Sequence, residues 1–184
     1  MRYHDSTKPW VSPKLSAVTH DDSMPKVRTW CGPSVVAAFS GQPIEHVAHW
    51  LWTRRGNRNG NGTARGVRST GTSELRAALG AAGFNTGMLA VAQTDDGKAP
   101  TLAYWLRKRT PDQRKRAFVI NVGEHWVAVR GNKFVDSFTL DPVFIRKAPH
   151  RRARVRRIIE VRKPKLAKRK KLMNHLPAFQ LTTW

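Results

Sequence analysis

The chain has 184 residues, of which 40% are hydrophobic, enough to bury the core of one domain with an appendage. Its 34 Lys and Arg against 12 Asp and Glu leave a formal charge of +22, which favours a polyanion partner such as nucleic acid over an evenly mixed solubilising surface. No apolar run reaches membrane-spanning length and the N-terminus lacks a signal-peptide pattern, so the expected setting is a reducing cytoplasm without membrane contact.

Residues 1–24, with Pro9 and Pro13 among scattered polar residues, read as an arm; residues 25–161 read as the domain and 162–184 as a basic tail. Cys31 to Phe39 predicts a first helix, with Pro33 suited to its opening turn. Pro43 to Arg54 predicts a second, carrying Ile44, Val47, Ala48, Leu51 and Trp52 on one face. His46 and His49 have a spacing that suits a metal, yet no matching third ligand is in view; no metal and no cofactor are expected.

The stretch from Gly56 to Gly66 reads as a flexible loop, a flap or a basic contact through Arg54, Arg55, Arg58 and Arg65. It lacks the Gly-Lys-Ser/Thr ending that a phosphate-binding loop needs. Ser73 to Ala82 predicts a third helix stopped by Gly83, and Thr101 to Lys108 a short fourth. Strands are expected at Ala117–Val122, His125–Arg130, Lys133–Asp136 and Arg154–Val161. Helices early and antiparallel strands late predict an α+β fold.

Cys31 is the only cysteine, which excludes a disulfide framework and a multi-thiolate zinc site. A thiol becomes a useful nucleophile only as thiolate, and the N–H groups at a helix start favour that anion. A histidine can take the thiol proton, and a carboxylate can hold that histidine in the right tautomer. His125 and Asp136 fit these roles. If Gly131-Asn132 is a two-residue hairpin turn, Arg130 faces Lys133, Val127 faces Asp136, and His125 lies one diagonal step from Asp136 on the same face.

The order Cys31, His125, Asp136, with Cys31-Gly32-Pro33-Ser34, Gly123-Glu124-His125-Trp126-Val127-Ala128-Val129 and Phe134-Val135-Asp136-Ser137, resembles papain-like cysteine peptidases, including the bacterial branch that trims double-glycine leader peptides. Gly71-Thr72-Ser73-Glu74-Leu75, with Ala78-Leu79 and Gly83, is similar to a later helix of such domains. The likeness spans about residues 25 to 140. It implies an N-terminal helical half packed on an antiparallel sheet, and a cleft that joins Cys31 to His125. One departure touches catalysis: residues 24–29 hold no glutamine, the side chain that usually completes the family's oxyanion hole.

From Arg146 to Lys171 there are 14 basic residues and one acid, Glu160. Arg151, Arg152, Arg154, Arg156, Arg157, Lys168, Arg169, Lys170 and Lys171 are the expected nucleic-acid contacts. Leu176, Phe179, Leu181 and Trp184 are apolar for a free tail and suggest docking on a protein partner or back onto the domain. Two function classes follow. One is a cysteine hydrolase cutting a peptide or other amide bond. The other is a non-catalytic structural or nucleic-acid-binding protein that keeps the peptidase fold, suited to a phage virion packed with nucleic acid.

Overall fold

Apolar stripes at helical spacing and strands apolar on both faces decide the architecture of the computed structural model, which describes residues 31–55, 69–139 and 142–163. The arm, the glycine-rich loop and the tail beyond 163, with Lys168, Arg169, Lys170 and Lys171, lie outside the described residues. Helices α1 (Cys31–Ser40), α2 (Ile44–Arg54) and α3 (Thr72–Ala81) come first. Strand β1 (Asn85–Leu89) follows, then α4 (Leu102–Lys108) and α5 (Pro111–Lys115). Next come β2 (Ala117–Val122), β3 (His125–Arg130), β4 (Lys133–Val135) and β5 (Val143–Phe144). A single 3-10 turn at Ile145–Lys147 precedes β6 (Val155–Arg162).

The described residues thus form an α+β fold around one six-stranded antiparallel sheet in the order β1-β6-β2-β3-β4-β5. The last strand enters the middle of the sheet. Val119, Trp126, Ala128, Val135, Ile159 and Val161 face α1, α2 and α3, whose Val35, Val36, Val47, Leu51, Leu75 and Leu79 fill that side of the core. Phe118, Ile120, Val122, Val127, Val129, Phe134 and Ile158 point the other way, against Leu102 and Leu106 of α4 and against Ala148. Burial on both faces explains why β2 and β3 read as nearly continuous apolar runs instead of alternating ones.

Local chemistry sets the joints. Thr101 caps α4 by accepting a hydrogen bond from the Tyr104 N–H at 3.2 Å, and Thr110 and Gln113 close a capping box around α5. Gly131 takes a positive φ of 56° at the β3–β4 turn, where a tight hairpin needs it. The buried guanidinium of Arg109 donates to the Gly131 carbonyl at 3.0 Å and holds that turn against α4. Arg130 pairs with Lys133, the expected register, although the strand closes at Val135 and leaves Asp136 just beyond it. Among the described residues, no helix is long and apolar enough to cross a membrane.

Candidate active site

The site lies where α1 begins and β3 begins. The turn Gly123-Glu124 closes the β2–β3 hairpin with Val122 opposite His125, which leaves the His125 ring at the end of the sheet. Cys31 opens α1 and is half-buried. Its thiol hydrogen-bonds the His125 ring and meets the Trp126 and Gly32 backbone N–H groups. Nε2 of His125 lies 3.1 Å from Oδ2 of Asp136, so the ring's other nitrogen is the one left for the thiol. The structure therefore brings Cys31, His125 and Asp136 into one continuous chain of hydrogen bonds.

Asp136 has no exposed surface, and an unpaired carboxylate there would be costly. Oδ1 accepts from the Phe138 and Thr139 backbone N–H groups, both at 2.9 Å, while Oδ2 faces His125. Burial alone would raise the carboxyl pKa, but His125 and these N–H groups pull it below the ordinary range. Burial likewise opposes charge on His125, and Asp136 and Cys31 overcome it, lifting the imidazole to about 9. Burial would also keep Cys31 protonated, yet His125 and the Trp126 N–H bring its pKa below that of a free thiol. The Cys31 and His125 shifts run in opposite directions, each group favouring the charged form of the other.

A second contact fixes the cysteine end. Trp126 donates its indole N–H to the Thr70 carbonyl at 2.7 Å, which presses Thr70 against the first turn of α1. A Cβ on Gly32 would lie 2.2 Å from Thr70 Oγ1 and 2.4 Å from Thr70 Cβ. Only glycine fits there. Arg55 holds the same segment, donating to the Ser69 carbonyl and pairing with Glu74 at 2.6 and 2.8 Å. Glu74 in turn accepts the Gly71 N–H at the start of α3.

An open cleft of about 510 Å³ runs past the thiol, lined in part by Asn121, Glu124, His125, Phe138 and Arg157. Arg157 reaches it through a bulge: Asn121 pairs with Arg157 but Val122 pairs with Val155, so Arg156 is left over. Bulges re-aim side chains in this way beside sites. Arg157 also donates to Thr72 Oγ1 at 2.8 Å. Arg151, Arg152, Arg154, Arg156 and Arg157 are all exposed, and of this set Arg157 lines the cleft. His46 and His49 are apart from this chemistry on α2, where Thr53 hydrogen-bonds the His49 carbonyl at 2.9 Å.

Sequence reasoning passed over His150, which approaches Asp136 Oδ2 at 3.7 Å and packs its ring 4.7 Å from that of His125. Nothing local announced it: it sits in a turn before β6, without helical or strand periodicity. Phe138 stacks on both histidines, at 5.1 Å from His125 and 5.5 Å from His150. No protein-family model, curated protein or solved structure matches this chain.

Two outcomes are expected from this geometry. Gly32→Ala should force α1 and Thr70 apart, costing about 1–3 kcal/mol of stability as overpacking does and slowing alkylation of Cys31; denaturant unfolding and a thiol-reagent time course measure both. Cys31→Ala removes the thiolate beside the ring, so the His125 pKa should fall from about 9, read by NMR titration of the imidazole protons. An unchanged His125 titration would mean that Asp136 alone sets it.

Proposed function

We propose that the chain is a papain-like cysteine hydrolase that cuts a peptide or other amide bond and also binds polyanions. The observation that carries this reading is the unbroken hydrogen-bonded line from Cys31 through His125 to Asp136, opening on a cleft. A thiolate paired with an imidazolium is a stored nucleophile and a stored acid in one contact.

The thiolate attacks the amide carbonyl carbon, and the carbonyl π pair moves onto oxygen. The Cys31 backbone N–H at the start of α1 is one donor for that oxyanion. Among the described residues lining the cleft, Asn121 brings the one side-chain amide; its Nδ2 has only a 3.5 Å contact with the His125 carbonyl to give up. It is the natural second donor where the family's glutamine is missing. His125 then passes its proton to the leaving nitrogen as the C–N bond breaks, which leaves a thioester on Cys31. Water, deprotonated by the same ring, attacks the thioester and restores the pair.

The exposed arginines from Arg151 to Arg157 support the polyanion half of the reading. Two acids are already paired with arginines: Glu74 with Arg55, and Glu160 with Arg116 at 3.1 Å and Arg162 at 2.5 Å. Arg151, Arg152, Arg154, Arg156 and Arg157 remain exposed to solvent. The competing reading, a phage-particle protein with a silent site, is favoured by that surface and by the missing glutamine, and it differs in one measurable property.

That property is thiol reactivity against pH. In wild type the rate of Cys31 alkylation should persist below the range of a free thiol, because the Cys31 pKa is lowered; His125→Ala should return it to ordinary thiol behaviour. Amide hydrolysis should fall on the alkaline side as His125 loses its proton near pH 9, and should be absent in Cys31→Ala. Wild-type labelling no faster than that of denatured protein would establish the silent reading. For the surface, removal of residues 164–184 deletes Lys165, Lys168, Arg169, Lys170 and Lys171. The log–log salt slope of duplex binding should then become shallower, by about 0.9 for each phosphate that the shortened chain no longer neutralises. Equal slopes would assign the tail to a protein partner.

A further inference from the structure

We propose that His125, Asp136 and His150 form a binding site for a zinc-class divalent cation, and that a cation bound there holds the thiol site inactive. The three side chains offer one ligand atom each, all within 4.8 Å of one another. Two separations are fixed more closely: His125 Nε2 to Asp136 Oδ2 is 3.1 Å, and His150 Nε2 to the same oxygen is 3.7 Å. Ligands about 2.0–2.1 Å from a tetrahedral metal stand about 3.3 Å apart, between these two values. Two imidazoles and one carboxylate are the donor set that borderline divalent ions take, with a fourth position left for water.

Three further features suit a ligand role. Asp136 spends Oδ1 on the Phe138 and Thr139 N–H groups, so its orientation is fixed while Oδ2 looks toward both rings. His150 holds a left-handed backbone, φ 58°, which few residues adopt and which aims its ring at Asp136. Its side chain is 35% exposed, against 17% for His125, so an ion has a route in from solvent. His150 takes no part in the proposed hydrolysis and is the member of the set that only cation binding requires.

The cation would replace the proton on His125 Nε2, with that proton released to solvent. The remaining ring proton sits on the nitrogen facing Cys31, and the ring can no longer become an imidazolium. Giving up that remaining proton would leave an imidazolate, so the ring is a far weaker acid for the leaving nitrogen and can no longer take the thiol proton. Cation binding itself depends on the geometry of the set and not on turnover.

The test is zinc affinity, measured on the full chain by competition with a chromogenic chelator for wild type, Cys31→Ala and His150→Asn. Asparagine tolerates the left-handed backbone but does not replace the imidazole. His150→Gly, which accepts the same backbone, serves as a second variant, and thermal unfolding without zinc checks both. Cys31→Ala is expected to bind at least as tightly as wild type, because a less basic His125 gives up its proton more readily, and both His150 variants at least tenfold more weakly. Equal affinity in wild type and the His150 variants, or no zinc taken from the chelator by wild type, overturns the proposal. Because Cys31→Ala has no nucleophile, its result stands whether or not the thiol proves reactive.

Discussion

A carboxylate with no access to solvent organises this molecule's active end. Asp136 sits just past β4 and stays ionised only because two backbone N–H groups and the His125 ring surround it. Its charge is then passed along: it raises the basicity of His125, and His125 lowers that of Cys31. The groups come from α1, β3 and the segment after β4, so the electrostatics is meaningful only if the helical layer and the sheet meet in one register. The indole of Trp126 provides that registration from the sheet side, and the bare Cα of Gly32 admits it from the helix side.

Much of this was legible in the sequence because it is local. A glycine-containing turn between two apolar runs fixes which residues face each other, so the Arg130–Lys133 pairing and the His125–Asp136 relation could be counted off. The helix stripes on α1 to α3 were equally plain, with boundaries displaced by a residue or so. Illegible parts have physical reasons. β1 reads Asn-Thr-Gly-Met-Leu, a poor strand sequence that exists because β6 offers it an edge. β5 has two residues, too few for any period. α5 did carry a signal, Thr110-Pro111 followed by Gln113, but in a segment with no buried side chain. His150 is a matter of tertiary approach alone.

The charge follows a similar division. Two acids are met by arginines, Glu74 by Arg55 and Glu160 by Arg116 and Arg162. Among the described residues, the exposed Arg151, Arg152, Arg154, Arg156 and Arg157 cluster on the approach to β6 and on the strand itself. The bulge at Arg156 returns one cation, Arg157, to the cleft, so the basic surface and the thiol share a boundary. A negatively charged group entering the cleft would feel both.

The central place of β6 has a consequence for the order of events during synthesis. β6 lies between β1 and β2, so the sheet is two separate pieces until the final described strand inserts. A nascent chain ending after β5 already contains Cys31, His125 and Asp136, but lacks the strand that joins β1 to the rest of the sheet. Long-range closure of this kind is slow, since the entropy of the intervening loop is lost before the contacts form. Completion of the sheet around the Cys31, His125 and Asp136 cluster is thus a late event, which waits until residues 155–162 have emerged from the ribosome's tunnel.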